Sequence, residues 1–152
     1  MAKVLVADVP EMDERIRECL PEHELVFVRT MHEAVATLRH DDFDLVVIGL
    51  HFDESRMFEL LSHVRSQREY KDVPVVCVQG VEMVVPEAVM QTVDMAVKVL
   101  GGRAFVDLRV QGIDFRQHCE REAIPGFHGY GGDSGWFPAP LFQHDPERQR
   151  RR

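Results

Sequence analysis

The amino-acid sequence predicts an α/β fold built on a doubly wound, five-stranded parallel sheet. Five short runs rich in β-branched residues alternate with segments whose apolar residues recur at helical spacing. The run at 44–50, DLVVIGL, is apolar on consecutive residues, as expected for a strand that is covered on both faces. Right-handed crossovers between parallel strands place helices on both faces of such a sheet.

Two strand–helix units are predicted over the first part of the chain. The strand at 3–8, KVLVAD, precedes a helix that begins at Pro10, because proline at the first helical position needs no amide donor. The strand at 24–29, ELVFVR, precedes a helix in which Thr30 and Glu33 have the spacing of a capping box. The apolar residues that this second helix is predicted to bury are Met31, Ala34, Val35 and Leu38.

Two more units follow the same order. The strand at 44–50 precedes the helical segment MFELLSHVR, whose apolar stripe consists of Met57, Leu60, Leu61 and Val64. A fourth strand is predicted at 73–80, and the next helix begins at Pro86. Gly101 and Gly102 end that helix, since glycine adopts positive φ readily at a C-terminal cap.

The composition of the chain changes after the last predicted helix. A fifth strand is predicted at 103–110 and a fifth helix at 111–123. The apolar stripe of that helix is thin and consists of Ile113, Phe115, Cys119 and Ala123. From Ile124 onward glycine, proline and isolated aromatic residues leave no periodicity. The sequence therefore predicts one domain, 1–123, and a tail, 124–152.

The tail is predicted either to be disordered or to dock on the domain or on a partner. Its large apolar side chains lie in a segment that cannot form a core of its own, and such groups usually find a surface to cover. The candidate partner-binding residues are Phe127, Tyr130, Trp136, Phe137 and Phe142, with Leu141 between them. The terminal RQRRR adds a small positive end.

Charge and composition exclude several classes of protein. The chain of 152 residues has a net charge of −8, which argues against a general electrostatic interaction with nucleic acid. No apolar run approaches the roughly 20 residues of a membrane span, and the N-terminus has no signal-peptide pattern, so a cytoplasmic location is expected. The three cysteines, Cys19, Cys77 and Cys119, form no metal-ligand motif and are expected to be reduced thiols.

The order and lengths of these elements resemble the receiver domain of two-component response regulators, which has a flavodoxin-like fold. The resemblance covers roughly residues 3–110 and rests on four stretches: KVLVAD with PEMDERIREC, DFDLVVIGLHFDESRMFELLSHVR, KDVPVVCVQG and GGRAFVDL. It implies a phosphorylation site at the carboxyl ends of the strands. An acidic pair holds Mg²⁺, an Asp takes the phosphoryl group from a histidine kinase, and a hydroxyl and a Lys sense the new charge.

Position by position, the chain departs from this site. Of the acidic pair only Asp8 remains, because Val9 follows it. The phosphoacceptor falls on Gly49, the switch hydroxyl on Gln79 and the Lys on Leu108, which cannot pair with a phosphate. The resemblance therefore implies a degenerate receiver, or pseudo-receiver, that is not phosphorylated on Asp and whose affinity for Mg²⁺ is weak or lost.

Other sources of chemistry are less favoured by the sequence. A carboxylate or hydroxyl just past Gly49 could replace the nucleophile, but a polar, solvated loop is the simpler interpretation; these residues are His51, Asp53, Glu54 and Ser55. No zinc-binding pattern has the spacing of the group His118, Cys119, His128 and His144. Cys77 lies within a buried strand with no cation nearby to lower its pKa, so it is predicted to be a small buried hydrophobe and not a catalytic thiol.

The expected function is that of a stand-alone pseudo-receiver, a protein–protein interaction module in phosphorelay-type signalling and not an enzyme. The resemblance implies an output face that includes the helix from Pro86 to Leu100, and a homodimer is possible. The alternative is a small-ligand-binding domain or minor enzyme that uses the crevice at the carboxyl ends of the strands. That crevice would be lined by Asp8, Gly49, Leu50, Gln79 and Leu108. Nucleic-acid binding through the arginine tail is the weakest option.

Overall fold

The computed structural model describes residues 1–80 and 86–108 together with Arg116, Gln117 and Cys119. Within these residues the chain forms the predicted parallel sheet of five strands, in the order β2-β1-β3-β4-β5. The strands are β1 (Lys3–Ala7), β2 (Glu24–Val28), β3 (Leu45–Gly49), β4 (Val75–Gln79) and β5 (Ala104–Asp107). Each is shorter than its sequence pattern because the hydrogen-bonded ladders stop before the loops begin.

Helices connect these strands as the periodicity predicted. They are α1 (Asp13–Cys19), α2 (Met31–His40), α3 (Met57–Ser66) and α4 (Glu87–Val99). A short 3₁₀ turn, Pro10–Met12, precedes α1, so the proline begins that turn and not the α-helix. At α4 the proline stands one residue earlier than predicted, because Pro86 is the N-cap with extended backbone.

The alternation of side chains along each strand divides the core into two layers. On one face of the sheet, Leu5 and Ile48 pack with the buried sides of α2, α3 and α4. On the other face, Val4 and Val47 pack with Ile16 of α1 and with Cys119. All five residues of β3 are buried, as its uninterrupted apolar run predicted.

The predicted buried stripe of α3 is confirmed, whereas that of α2 is correct only in part. The four stripe residues of α3 that are buried are Met57, Leu60, Leu61 and Val64. In α2 only Ala34 and Leu38 are buried, while Met31 and Val35 are half-buried. The predicted fifth helix, 111–123, lies mostly outside the described residues, although Arg116, Gln117 and Cys119 have helical backbone.

The start of α2 has the predicted cap in a modified form. The hydroxyl of Thr30 accepts a hydrogen bond from the backbone N–H of Glu33 at 3.1 Å. The carboxylate of Glu33 accepts in return from the N–H of Arg29, one residue before the cap, at 2.7 Å. Two backbone donors at the helix start are therefore satisfied by side chains.

Removal of this cap tests its contribution to the fold. We expect Thr30→Ala to lower the free energy of unfolding by about 1 kcal/mol, because the N–H of Glu33 loses its partner. Urea denaturation followed by circular dichroism measures the change. Ser62→Ala, at an exposed position on α3, is the control. A Thr30→Ala protein as stable as the control would show that the cap does not stabilise the fold.

The end of α4 has the glycine cap that the sequence predicted. Gly101 has φ of 99°, and its N–H donates to the carbonyl of Lys98. The N–H of Gly102 donates to the carbonyl of Val97 at 2.8 Å, which completes a Schellman motif. The chain then turns directly into β5, so that the carboxyl-terminal end of α4 lies at the amino-terminal edge of the sheet.

Candidate functional site

Four of the residues aligned with the receiver phosphorylation site meet at the carboxyl-terminal edge of the sheet. Gly49 ends β3 and Gln79 ends β4, while Asp8 and Leu108 directly follow β1 and β5. Parallel strands bring these ends to one edge, as the prediction required. All four residues are buried, and none of the three with side chains is more than 3% exposed. The edge is therefore packed at these positions and not open.

The carboxyl group of Asp8 lies in the space that a side chain at position 49 would need. A Cβ atom built on Gly49 would lie 1.9 Å from Oδ1 of Asp8 and 2.0 Å from its Cγ, far inside van der Waals contact. The backbone of Gly49 does not have positive φ, so space and not conformation requires glycine there. The carboxyl group of Asp8 thus fills the space at position 49, where the resemblance implies an acceptor.

Burial governs the protonation of this carboxyl group. Removal from water raises the pKa of Asp8 to about 7, although the Val9 N–H and the Arg29 charge both lower it. The Val9 N–H donates to Oδ1 of Asp8 at 2.8 Å. The negative charges of Asp13 and Glu11 raise the pKa further. Asp8 therefore keeps its proton to a much higher pH than a solvated aspartate does.

An ion pair between α1 and the end of β2 lies beside Asp8. The guanidinium of Arg29 donates to both carboxylate oxygens of Asp13, and its Nη1 also donates to the backbone carbonyl of Asp8 at 3.1 Å. The hydrogen bond that Arg29 donates to Asp13 is the largest cause of the raised pKa of Arg29. Sequence reasoning did not identify this pair. The pair could have been predicted, because the predicted topology places Arg29 and Asp13 each next to the carboxyl edge of the sheet.

Met12 and Leu108 fill the part of the edge above β4. A Cβ atom on Gly80 would lie 2.3 Å from Cε of Met12, 2.8 Å from its Sδ and 3.4 Å from Cβ of Leu108. Met12 is 3% exposed and comes from the 3₁₀ turn that precedes α1. An apolar cluster thus stands where the resemblance implied a switch hydroxyl and a lysine.

The prediction of a polar, solvated loop after β3 is wrong in part, because some residues of this loop are buried or hydrogen-bonded. Phe52 is fully buried, and three successive residues have left-handed backbone: Asp53, Glu54 and Ser55. Oδ2 of Asp53 accepts the N–H of Met31 at 2.8 Å, at the start of α2. Nε2 of His51 is buried and has no hydrogen-bond partner among the described residues. Asp53 therefore holds two elements together and is not a free nucleophile.

Of the remaining candidate residues, only Cys77 and Cys119 lie within the described part of the chain. Burial raises the pKa of Cys77 to about 12, although the charge of Arg65 lowers it, so the thiol stays protonated at neutral pH. The prediction of a small buried hydrophobe is confirmed, whereas the expectation that no cation lies nearby is wrong. Cys119 is buried, whereas His118, His128 and His144 lie outside the described residues. Within the described part of the chain, no three His, Cys, Asp or Glu residues are grouped to hold a metal ion.

Known structures of similar shape are receiver domains. The phosphorylated cyanobacterial phytochrome response regulator RcpA aligns at a TM-score of 0.65 and 20% identity, covering 81% of this chain and 94% of RcpA. The chemotaxis response regulator CheY4 of Vibrio cholerae aligns at 0.65 and 20% identity, covering 80% and 98%. A putative response regulator from Chloroflexus aurantiacus aligns at 0.67 and 12% identity, covering 80% and 97%.

This chain has the receiver-domain fold. No protein-family model and no curated protein matches the sequence. The flavodoxin-like prediction is therefore confirmed for the described sheet and helices.

Over the same residues, no helix combines the length and the apolar character that a membrane span requires. The candidate partner-binding aromatic residues of the tail lie outside the described residues.

Proposed function

We propose that this chain is a degenerate receiver, a pseudo-receiver that binds protein partners in cytoplasmic phosphorelay-type signalling. It performs no catalysis and is not phosphorylated on Asp. The observation that carries the proposal is the carboxyl group of Asp8 in the space above Gly49. Loss of one residue by itself would leave a vacant pocket, whereas here the pocket is filled by a neighbouring side chain.

The chemistry of the filled edge supports the absence of phosphotransfer. A phosphoryl group needs an acceptor, a cation to neutralise its charge and room for three oxygens. Position 49 supplies no acceptor, and the buried, apolar Leu108 stands at the position of the lysine.

The side chains at this edge also do not fit Mg²⁺. That ion requires an octahedral set of oxygen ligands and keeps several waters. Asp8 is buried against Gly49, and the carboxylate of Asp13 is bound on both oxygens by Arg29. No step of the proposed function therefore passes through a metal ion.

The outer face of α4 is the proposed partner surface. Only Val93 and Val97 of this 13-residue helix are buried. The described part of the chain has four exposed large hydrophobic residues, and three of them are on α4: Val89, Met95 and Val99. Apolar groups concentrated on one helix mark an interaction surface more often than scattered ones do.

The ligand-binding alternative has less support from the packing. Of its five predicted lining residues, only Leu50 is not buried. A small molecule at this edge would first have to displace Met12 or Asp8 from buried positions. We therefore keep partner binding as the proposed function.

A capture experiment tests partner binding and its independence from phosphate. The full chain is immobilised and exposed to lysate of the source organism with and without acetyl phosphate and Mg²⁺. We expect the same captured proteins in both conditions. Val89→Lys should lose them, because a charge enters the apolar surface, whereas Ser62→Lys adds the same charge to an exposed position of α3 and should retain them. Capture that requires acetyl phosphate, or that survives Val89→Lys, would contradict the proposal.

A further inference from the structure

The carboxyl-terminal end of α4 carries an apolar surface that we call the α4 end patch, formed by Met95 and Val99. Met95 is 66% exposed and Val99 is 82% exposed. Their spacing of four residues places them one turn apart on the same side of the helix. Because α4 ends just before β5 begins, the patch lies at the amino-terminal edge of the sheet, opposite the edge that holds Asp8.

Two of the chain segments outside the described residues are poorly placed to cover this patch. The segment 81–85 is tied at Gly80 and Pro86, and Val99 lies about 20 Å along the helix from Pro86, given a rise of 1.5 Å per residue. The segment 109–115 leaves β5 at the carboxyl edge and must end at Arg116. Both are short and held at two ends.

The segment that follows Cys119 starts near the same edge as the patch. Cys119 belongs to the same apolar layer as Leu20, the residue that follows α1, and Cys19 packs against that layer. The positive charge of Arg116 also opposes the rise in the pKa of the Cys19 thiol. Cys19 is the last residue of α1, and α1 runs from the carboxyl edge of the sheet to the amino edge. Arg116 and Cys119 therefore lie near the end of α1, and Cys119 packs on the face of the sheet opposite α4.

The length of chain after Cys119 is sufficient to reach the patch. Passing around the β5 edge from one helix layer to the other requires roughly 20 Å, the thickness of two helices. The eight residues from 120 to Phe127 extend up to about 26 Å. Phe127 and every aromatic residue after it can therefore arrive at Val99.

The chemistry of the segment matches the patch. Residues 124–142 carry six large apolar side chains: Phe127, Tyr130, Trp136, Phe137, Leu141 and Phe142. The segment also contains many glycines and prolines, which disfavour the helices and strands that bury apolar groups locally. We infer that the segment 124–142 docks its aromatic side chains on the α4 end patch of its own chain.

This inference rests on the proposed function only in using the same helix. The docked segment would cover Met95 and Val99 and leave Val89 to the partner, about 9 Å from Met95 and about 15 Å from Val99 along the helix axis. Its test contains no partner, so its failure is distinct from failure of the capture experiment.

A photo-crosslinking amino acid, p-benzoylphenylalanine, replaces Met95 in the full chain, which is irradiated in dilute solution. We expect cross-links within a single chain to peptides from 124–142. The same photo-crosslinker at exposed Ser62 of α3 should give none to this segment.

The single tryptophan of the chain provides a second measurement without labelling. Trp136 lies inside the docking segment. We expect Val99→Lys to shift its fluorescence to longer wavelength and to increase its quenching by acrylamide, whereas Ser62→Lys leaves both unchanged. Cross-links that join two chains would assign the patch to a second copy and overturn the inference. Absence of any cross-link to 124–142, or identical fluorescence in the two variants, would overturn it as well.

Discussion

Replacing Asp8 with asparagine should stabilise the protein above pH 7 and remove much of the fall in stability between about pH 5 and pH 8. Burial raises the folded-state pKa of Asp8 from 3.8 to about 7, so the folded chain retains a proton that the unfolded chain releases. The stability linked to this proton is complete below the unfolded pKa and is lost as pH rises through the folded pKa. A neutral amide avoids that loss and keeps an oxygen to accept the Val9 N–H.

The expected size of the effect makes it measurable. At 1.36 kcal/mol for each pKa unit the whole shift corresponds to roughly 4 kcal/mol, and roughly 2–3 kcal/mol of this is lost between about pH 5 and pH 8. Urea unfolding curves across this range compare the wild-type chain, Asp8→Asn and, as a control, Asp72→Asn, whose carboxyl group is exposed to water. If Asp8→Asn has the same pH slope as the wild-type chain, the Asp8 carboxyl is not held protonated by burial.

Adding a methyl group at Gly49 should destabilise the wild-type chain and be harmless once Asp8 is shortened. The new Cβ would meet the Asp8 carboxyl at 1.9 Å, and Asp8 is too short and too buried to move aside freely. We expect Gly49→Ala to cost about 1–3 kcal/mol, the usual range for overpacking a core. In an Asp8→Ala chain the same change should be neutral or slightly stabilising, because alanine restricts the unfolded chain more than glycine does.

A double-mutant cycle isolates this coupling. The four chains are wild type, Asp8→Ala, Gly49→Ala and the double variant, each measured by urea unfolding under one condition. A coupling free energy of about 1 kcal/mol or more is expected for two groups in direct contact. Additive effects at the two positions would show that Asp8 does not occupy the space above Gly49.

The fold was predictable because its signals are local and periodic. The apolar run 44–50, the Thr30 and Glu33 pair and the glycines after α4 each predict an element from a few neighbouring residues. Their alternation then leaves few topologies for a parallel sheet. The same alternation predicts that the four aligned positions meet at one edge of the sheet, but it does not predict which side chains fill that edge.

The packing of the edge depends on contacts that sequence periodicity does not encode. Asp8 and Gly49 are far apart in the chain, and only the direction of one side chain places the carboxyl over the glycine. Met12 has helical spacing in the sequence, yet it packs over Gly80 from a 3₁₀ turn. The left-handed residues after β3 include no glycine, so composition did not predict that turn.

The most direct test of the proposed function is the intact mass of the protein after incubation with acetyl phosphate and Mg²⁺. The wild-type chain and Gly49→Asp are analysed beside a receiver domain that carries its acceptor Asp, which confirms that the reagent is active. We expect both forms of this chain to remain unmodified, since the edge holds no acceptor in one and no room beside Asp8 in the other. A stable phosphoryl adduct on the wild-type chain would contradict the account.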